Sequence, residues 1–314
     1  MIPAPRQPDG RVGVGRAVAA CPPLSLVCFS YLAQAQILRV DQYPPANHGA
    51  AITSTTLAVA GDGPLAATIA AALGLRVGLI ANRVGADQAG RWLLAQLADA
   101  EITHDIPAVP QVRTPELIVV ADDAGTRTWF ARLHNAYADL REVDLRLLGS
   151  PRLAYIDCYE LLTAAAARAI AAARGVPLLL NLGGDPLDER IAAATDGQHT
   201  AAVQTNLDET DTPHAEELAN HLFDRLHPDA AIITLGRLGA LARTRHGVHR
   251  ATAAETIVGD TTGAGAAFSA GYAHALLAGA PPEQALQAGC RTGTAHCAGS
   301  PPLRFLTTAT DLVR

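Results

Sequence analysis

A chain of 314 residues with 49% hydrophobic and 17% charged residues can bury a substantial core, which excludes a disordered protein and suits one large α/β domain. A formal net charge of −6 without any dense arginine block argues against a nucleic-acid surface, and no apolar run approaches the roughly 18–20 residues of a membrane span. There is no lysine, which rules out lysine nucleophiles and a lysine-bearing phosphate loop, and the five cysteines lack C-x-x-C spacing, as expected of reduced thiols in a cytoplasmic protein.

Residues 1–23 read as a flexible tail, because the apolar stretch that follows Arg6, Arg11 and Arg16 is too short for a signal peptide. Strands are expected at Leu24 to Phe29, Gln34 to Val40 and Ala51 to Val59, the last two with interleaved polar residues that suit a sheet with one wet face. A helix over Ala66 to Leu73 closes on Gly74, a strand runs from Arg76 to Ile80, and a helix spans Arg91 to Ala98. Thr114 to Val120 and Thr126 to Ala131 flank the turn residues Asp122-Asp123-Ala124-Gly125, a hairpin signal. From residue 153 onward strands and helices alternate: Leu153 to Ile156, a helix over Leu161 to Arg174, then Val176 to Asn181, Ala201 to Gln204 and Ala230 to Leu235. Such alternation implies a parallel sheet with helices on both faces and ligands at the C-terminal strand edge.

An apolar strand-like run from Ala253 to Val258 leads into Gly259-Asp260-Thr261-Thr262-Gly263-Ala264-Gly265-Ala266-Ala267-Phe268, and a helix is expected from Ala266 to about Leu277. A Gly-Ala-Gly turn before a helix leaves backbone N–H groups pointing out of the positive helix end, a ready anion site. Two earlier segments sit at strand ends. Asn206-Leu207-Asp208-Glu209 offers acids that suit either a helix N-terminus or a hard cation. Thr234-Leu235-Gly236-Arg237-Leu238-Gly239 reads as a plain turn or as a glycine-lined nucleotide contact, with Arg237 solvated or paired to a phosphate.

The run from Asp260 to Phe268 resembles the C-terminal signature of the ribokinase, or phosphofructokinase-B (PfkB), family of carbohydrate kinases, Asp-Thr-x-Gly-Ala-Gly-Asp-x-Phe. The resemblance extends in register over about residues 24 to 300, including Val84-Gly85-Ala86-Asp87-Gln88-Ala89-Gly90. It implies a ribokinase-like αβα sandwich formed by residues 24–314, with a small β lid from about 34–60 and 112–134 that often serves as a homodimer surface. By the same resemblance Gly263, Ala264 and Gly265 form the anion hole. Asn206, Thr234, Gly236, Arg237, Gly239, Asp260 and Thr261 hold ATP, and Glu209 organises Mg²⁺ through water.

Three family positions are altered. Ala266 stands where the resemblance places the catalytic aspartate, Ala35 where it places the sugar-binding aspartate, and Leu65 where it places the asparagine of a Gly-Gly-x-x-x-Asn motif, of which Gly61 survives. Ala266 reads as a deliberate substitution, a natural loss of activity, or an adaptation to another acceptor; Ala35 and Leu65 point to natural divergence of the acceptor pocket. Asp62 is the polar neighbour best placed to replace the lost contacts, ahead of Asp41 and Tyr31. His274 and His296 fall in helical segments and read as core or surface residues. Arg243, Arg245, His246, His249 and Arg250 read as an exposed charged hairpin. The expected activity is transfer of a γ-phosphate to a hydroxyl of a sugar, nucleoside or related small molecule, slowed by Ala266. The alternatives are a non-catalytic nucleotide- or metabolite-binding protein and a repurposed biosynthetic enzyme.

Overall fold

The computed structural model describes residues 23–122, 127–256, 261–299 and 306–308. In chain order the first elements are β1 (Leu26–Phe29), β2 (Ala33–Val40), β3 (Ile52–Ala60), α1 (Asp62–Ala72), β4 (Val77–Ile80), β5 (Val84–Gly85), α2 (Gln88–Asp99), β6 (Ala108–Val109), β7 (Glu116–Asp122), β8 (Arg127–Arg132) and α3 (His134–Leu140). The second half contributes β9 (Leu153–Asp157), α4 (Thr163–Ala172), β10 (Leu178–Asn181), α5 (Glu189–Ala194), β11 (Thr200–Asn206), α6 (Ala215–Leu226), β12 (Ala230–Thr234), β13 (Ala240–Thr244), β14 (Gly247–Ala251), α7 (Ala264–Leu277), α8 (Pro282–Cys297) and β15 (Leu306–Thr308).

The main sheet has the order β14-β13-β12-β11-β10-β9-β1-β4. From β12 to β4 every neighbour is parallel, while β13 and β14 add an antiparallel edge. Its strands β1 and β4 read as unbroken apolar runs because both faces are covered. In β1, Leu26 and Cys28 face one core with residues of α1, α2, α7 and α8. Val27 and Phe29 face the other core, with residues of α3 to α6. The fold is thus a ribokinase-like αβα sandwich, as expected. A second sheet, of order β15-β3-β2-β7-β8, pairs β2 with β7 in parallel and its other neighbours antiparallel. It has its own small apolar core of Ala35, Ile37, Ala58 and Val119.

Three local expectations shift. Helix α1 starts at Asp62 rather than Ala66, since Gly61 serves as its N-cap and Pro64 falls in the first turn, where no amide donor is required. Residues 252–256 form no strand, because the chain leaves the sheet edge after Ala251 pairs with Ala240; 257–260 lie outside the described residues. The tight turn at Asp122-Asp123-Ala124-Gly125 falls largely on the undescribed residues 123–126, while its flanking strands β7 and β8 pair antiparallel.

Candidate active site

Parallel strands that end in register bring polar residues to one edge. Asn181 ends β10 opposite Asp157 of β9 and Gln204 of β11, and Asn206 ends β11 opposite Thr234 of β12. Helix α7 starts beside this edge. Its N-cap, Gly263, has φ 81°, and no side chain caps the helix. A Cβ on Gly263 would lie 2.1 Å from Leu65 Cδ2, so the turn is packed against α1, and its left-handed backbone favours glycine. Ala264 N–H donates to Thr261 O, and among the described residues the Gly263, Gly265 and Ala266 amides find no partner, as expected of a helix start. Gly265 is exposed, whereas Ala266 has no exposure and joins the core formed with α1 and α8. Ser269 Oγ donates to Gln204 Oε1 at 2.8 Å, tying the first turns of α7 to β11.

Glu209 opens a short 3₁₀ turn after β11 (Glu209–His214), and the turn Gly236–Leu238 follows β12. The two meet directly: Arg237 N donates to Glu209 Oε1 at 3.2 Å and Arg237 Nε donates to Oε2. This contact holds the Glu209 carboxyl below its ordinary range, through the Arg237 hydrogen bond first. Asp260 lies outside the described residues. Ala35 packs in the second sheet's apolar core. Tyr31 packs against other tyrosines of the edge, and Asp41 is an exposed residue just past β2.

Between α1 and the ends of β9 and β10 lies a polar network. Gly61 takes φ 105° because any Cβ there would meet Tyr31 O at 2.1 Å, and this turn delivers Asp62 and the Gly63 amide to the strand edge. Gly63 N–H donates to Asp157 Oδ2 at 3.0 Å, and Tyr155 OH donates to Asp157 Oδ1 at 2.8 Å. Tyr159 OH donates to Asp62 Oδ2 at 2.7 Å. Asn181 Nδ2 stands 2.8 Å from Asp157 Oδ1 and 3.2 Å from Asp62 Oδ2, between the two carboxylates. Asp157 is fully buried; burial and the Asp62 charge push its carboxyl up to about 7, against the opposing pull of Ser30, Asn181 and Tyr155. Of this network the sequence singled out Asp62 and noted Tyr31. Asp157, Asn181 and the remaining tyrosines were missed, although a carboxylate and an asparagine ending neighbouring apolar strands are a usable signal.

His296, expected to be a bystander, reaches the loop: its Nε2 lies 2.8 Å from Thr262 O. The charged hairpin is β13–β14, where His249 meets Glu283 at 3.2 Å and Arg250 meets Glu216 at 2.6 Å. A cavity of about 510 Å³ beside β4 and α3, walled by Leu79, Ile106, Val143 and Leu147, contains none of these site residues.

The pfkB family carbohydrate kinase model matches residues 24–300. No curated protein sequence matches significantly. Among solved structures, the ribokinase of Thermotoga maritima superposes with a TM-score of 0.74 at 16% identity, covering 92% of this chain and 98% of the other. The nucleoside kinase of Methanocaldococcus jannaschii gives 0.70 at 19% identity, covering 93% and 97%. The ribokinase of Arabidopsis thaliana, solved with ribose and ATP, gives 0.67 at 16% identity, covering 88% and 93%.

Proposed function

The chain belongs to the pfkB family of carbohydrate kinases, and on that premise we propose a kinase scaffold that transfers the γ-phosphate of ATP to a hydroxyl of a sugar, nucleoside or related metabolite. The uncapped start of α7, with its Gly263 turn closed against Leu65, carries the reading. Preorganised amides that face a transferring phosphate need no reorganisation when charge develops. Bound Mg²⁺-ATP supplies the phosphoryl group and neutralises its charge.

The residues present fit such a ligand. Gly263, Ala264 and Gly265 offer the anion-hole turn, while Asn206, Thr234, Gly236, Gly239 and Thr261 border the nucleotide; Asp260 is assigned to it by sequence match alone. Glu209 serves Mg²⁺ through water: no cluster of three metal-binding side chains occurs among the described residues, and Mg²⁺ characteristically keeps several waters. Arg237 is released from Glu209 to a phosphate at small cost, because a solvent-exposed ion pair is worth only about 0–1 kcal/mol.

Ala266 occupies the third position of α7 and takes no proton, so turnover is slowed by about 10²–10⁴ relative to a scaffold with its general base. The full burial of its methyl among apolar residues favours a second reading, a non-catalytic protein that keeps the nucleotide cradle. A paired assay of the chain and Ala266→Asp, with Mg²⁺-ATP and a panel of sugars and nucleosides, separates the two. A gain of about 10² or more in phosphorylated product supports the kinase scaffold. Absence of product from both proteins while ADP still binds and both remain folded refutes it on that panel.

Two further readings follow. One face of the second sheet carries Leu38, Leu57, Ile118, Val120 and Phe130; Ile118 and Phe130 are 39% and 59% exposed. We assign that face of the lid to a homodimer. The free thiols of Cys28, Cys158, Cys290 and Cys297, and the lack of any described helix long and apolar enough to cross a membrane, suit a cytoplasmic protein.

A further inference from the structure

The network between α1 and β9 is rich in acceptors and short of protons. Asp62 and Asp157 present four carboxylate oxygens, and the phenol oxygens of Tyr155 and Tyr159 add two more acceptors. Against these stand the two hydroxyl protons, the Gly63 amide, the proton that the buried Asp157 carboxyl keeps below about pH 7, and the two protons on Asn181 Nδ2, which lies within 3.3 Å of four different oxygens and can serve only two of them. Among the described residues Asp62 Oδ1 receives no hydrogen bond, and Asp62 is only partly buried. Ser30 Oγ, in a residue without exposure, stands against Gly63 beside the Asp157 carboxylate without forming a well-aligned hydrogen bond. Among the described residues no arginine or histidine pairs with either aspartate, although the chain carries two dozen basic side chains, all of them arginine. The charged neighbour of each aspartate is the other aspartate.

The mouth of the network is aromatic. Tyr31 lies edge-on to Tyr137 at 6.0 Å and tilted to Tyr159 at 6.4 Å, and all three residues are largely buried. Leu65, one helical turn beyond Asp62, lies against Gly263. A neutral polyol supplies donors to such a site but leaves its charge uncompensated. A protonated amine supplies three donors and one positive charge, and tyrosine faces attract cations.

We propose that the small molecule bound at this edge carries a protonated amine beside its hydroxyls, with Asp62 as the direct counter-ion and Asp157 behind it. The inference deepens the kinase reading, since it specifies the acceptor of that same site. It stands on the network alone, however, and does not require phosphoryl transfer.

The test is calorimetric titration of the full chain with matched probes. D-glucosamine is compared with D-glucose and N-acetyl-D-glucosamine, and 3′-amino-3′-deoxyadenosine with adenosine, so that an amino sugar is told from an amino nucleoside. ADP is titrated in parallel. An amine that binds about tenfold or more tighter than its neutral counterparts supports the proposal, since hydrogen bonds to charged groups are the strong ones. The preference should vanish in Asp62→Asn and persist in Tyr159→Phe, which keeps the ring and leaves Asp62 with one donor fewer. Equal affinity within both sets, or a preference that survives Asp62→Asn, overturns it. If ADP fails to bind while the amine preference holds, the kinase reading fails and this inference stands; if ADP binds without any amine preference, the reverse is true.

Discussion

Replacing Asp157 by Asn changes how stability depends on pH, in a direction that the structure fixes. The carboxyl is fully buried, and its folded value of about 7 lies above the ordinary value of 3.8. Between those limits the folded state keeps the proton and the unfolded chain has released it, so the folded state binds more protons and stability falls as pH rises. The limiting slope for one such group is about 1.4 kcal/mol per pH unit, which integrates to about 2 kcal/mol between pH 5 and pH 7 because the carboxyl is half ionised at the upper end. Asn cannot ionise, so this component disappears. The variant should be the weaker protein at pH 5, where its amide faces the Gly63 N–H with the wrong polarity or costs the Tyr155 and Asn181 contacts. It should recover most of that deficit by pH 7. Urea unfolding of both proteins at half-unit steps from pH 5 to pH 8 reads the difference directly. Parallel curves would show that Asp157 ionises normally in the folded state, and that the reasoning about burial and the Asp62 charge is wrong.

Gly263→Ala should cost about 1–3 kcal/mol, from the left-handed backbone and from displacing Leu65, and should weaken phosphate or ADP binding at least tenfold; unchanged ADP titration would remove the α7 turn from the nucleotide site. Arg237→Ala should leave the melting temperature within a degree or two of the parent, because the pair with Glu209 is exposed. It should still weaken ADP binding several-fold, and equal affinity would show that Arg237 stays on Glu209. If the proposed homodimer forms through the lid, Phe130→Glu should shift it to monomer at micromolar concentration by light scattering; an unchanged mass would deny that face a role in assembly.

Local pattern was enough for most elements and for the order of the main sheet's chemistry. Runs such as Leu26–Phe29 are apolar throughout, which specifies a strand covered on both faces before any partner is known. The Asp87 turn was also legible: its carboxylate caps α2 by accepting from Gly90 N–H at 2.8 Å, a bond between near neighbours in the chain. Helix α8 was foreseen only as a helical segment around His296, without its bounds. Its Gly289 and Gly293 weaken the helical signal, yet Gly289 is what lets Phe268 of α7 lie against α8, since a Cβ there would come within 2.7 Å of the ring. The reach of Asp87 to Thr114 Oγ1 at 2.6 Å likewise joins residues 27 apart, which no window on the sequence contains.

The sequence by itself determined the fold class and the family match, because both rest on periodicity and on short motifs whose members are near neighbours along the chain. The tertiary structure alone decided that Asp62 meets Asp157, 95 positions later, and that Asn181 stands between them. It alone set Arg237 on Glu209 and His296 on the Thr262 carbonyl. These contacts depend on where parallel strands end and how helices cross them, and the charge a buried carboxylate carries depends on neighbours that only folding brings within reach.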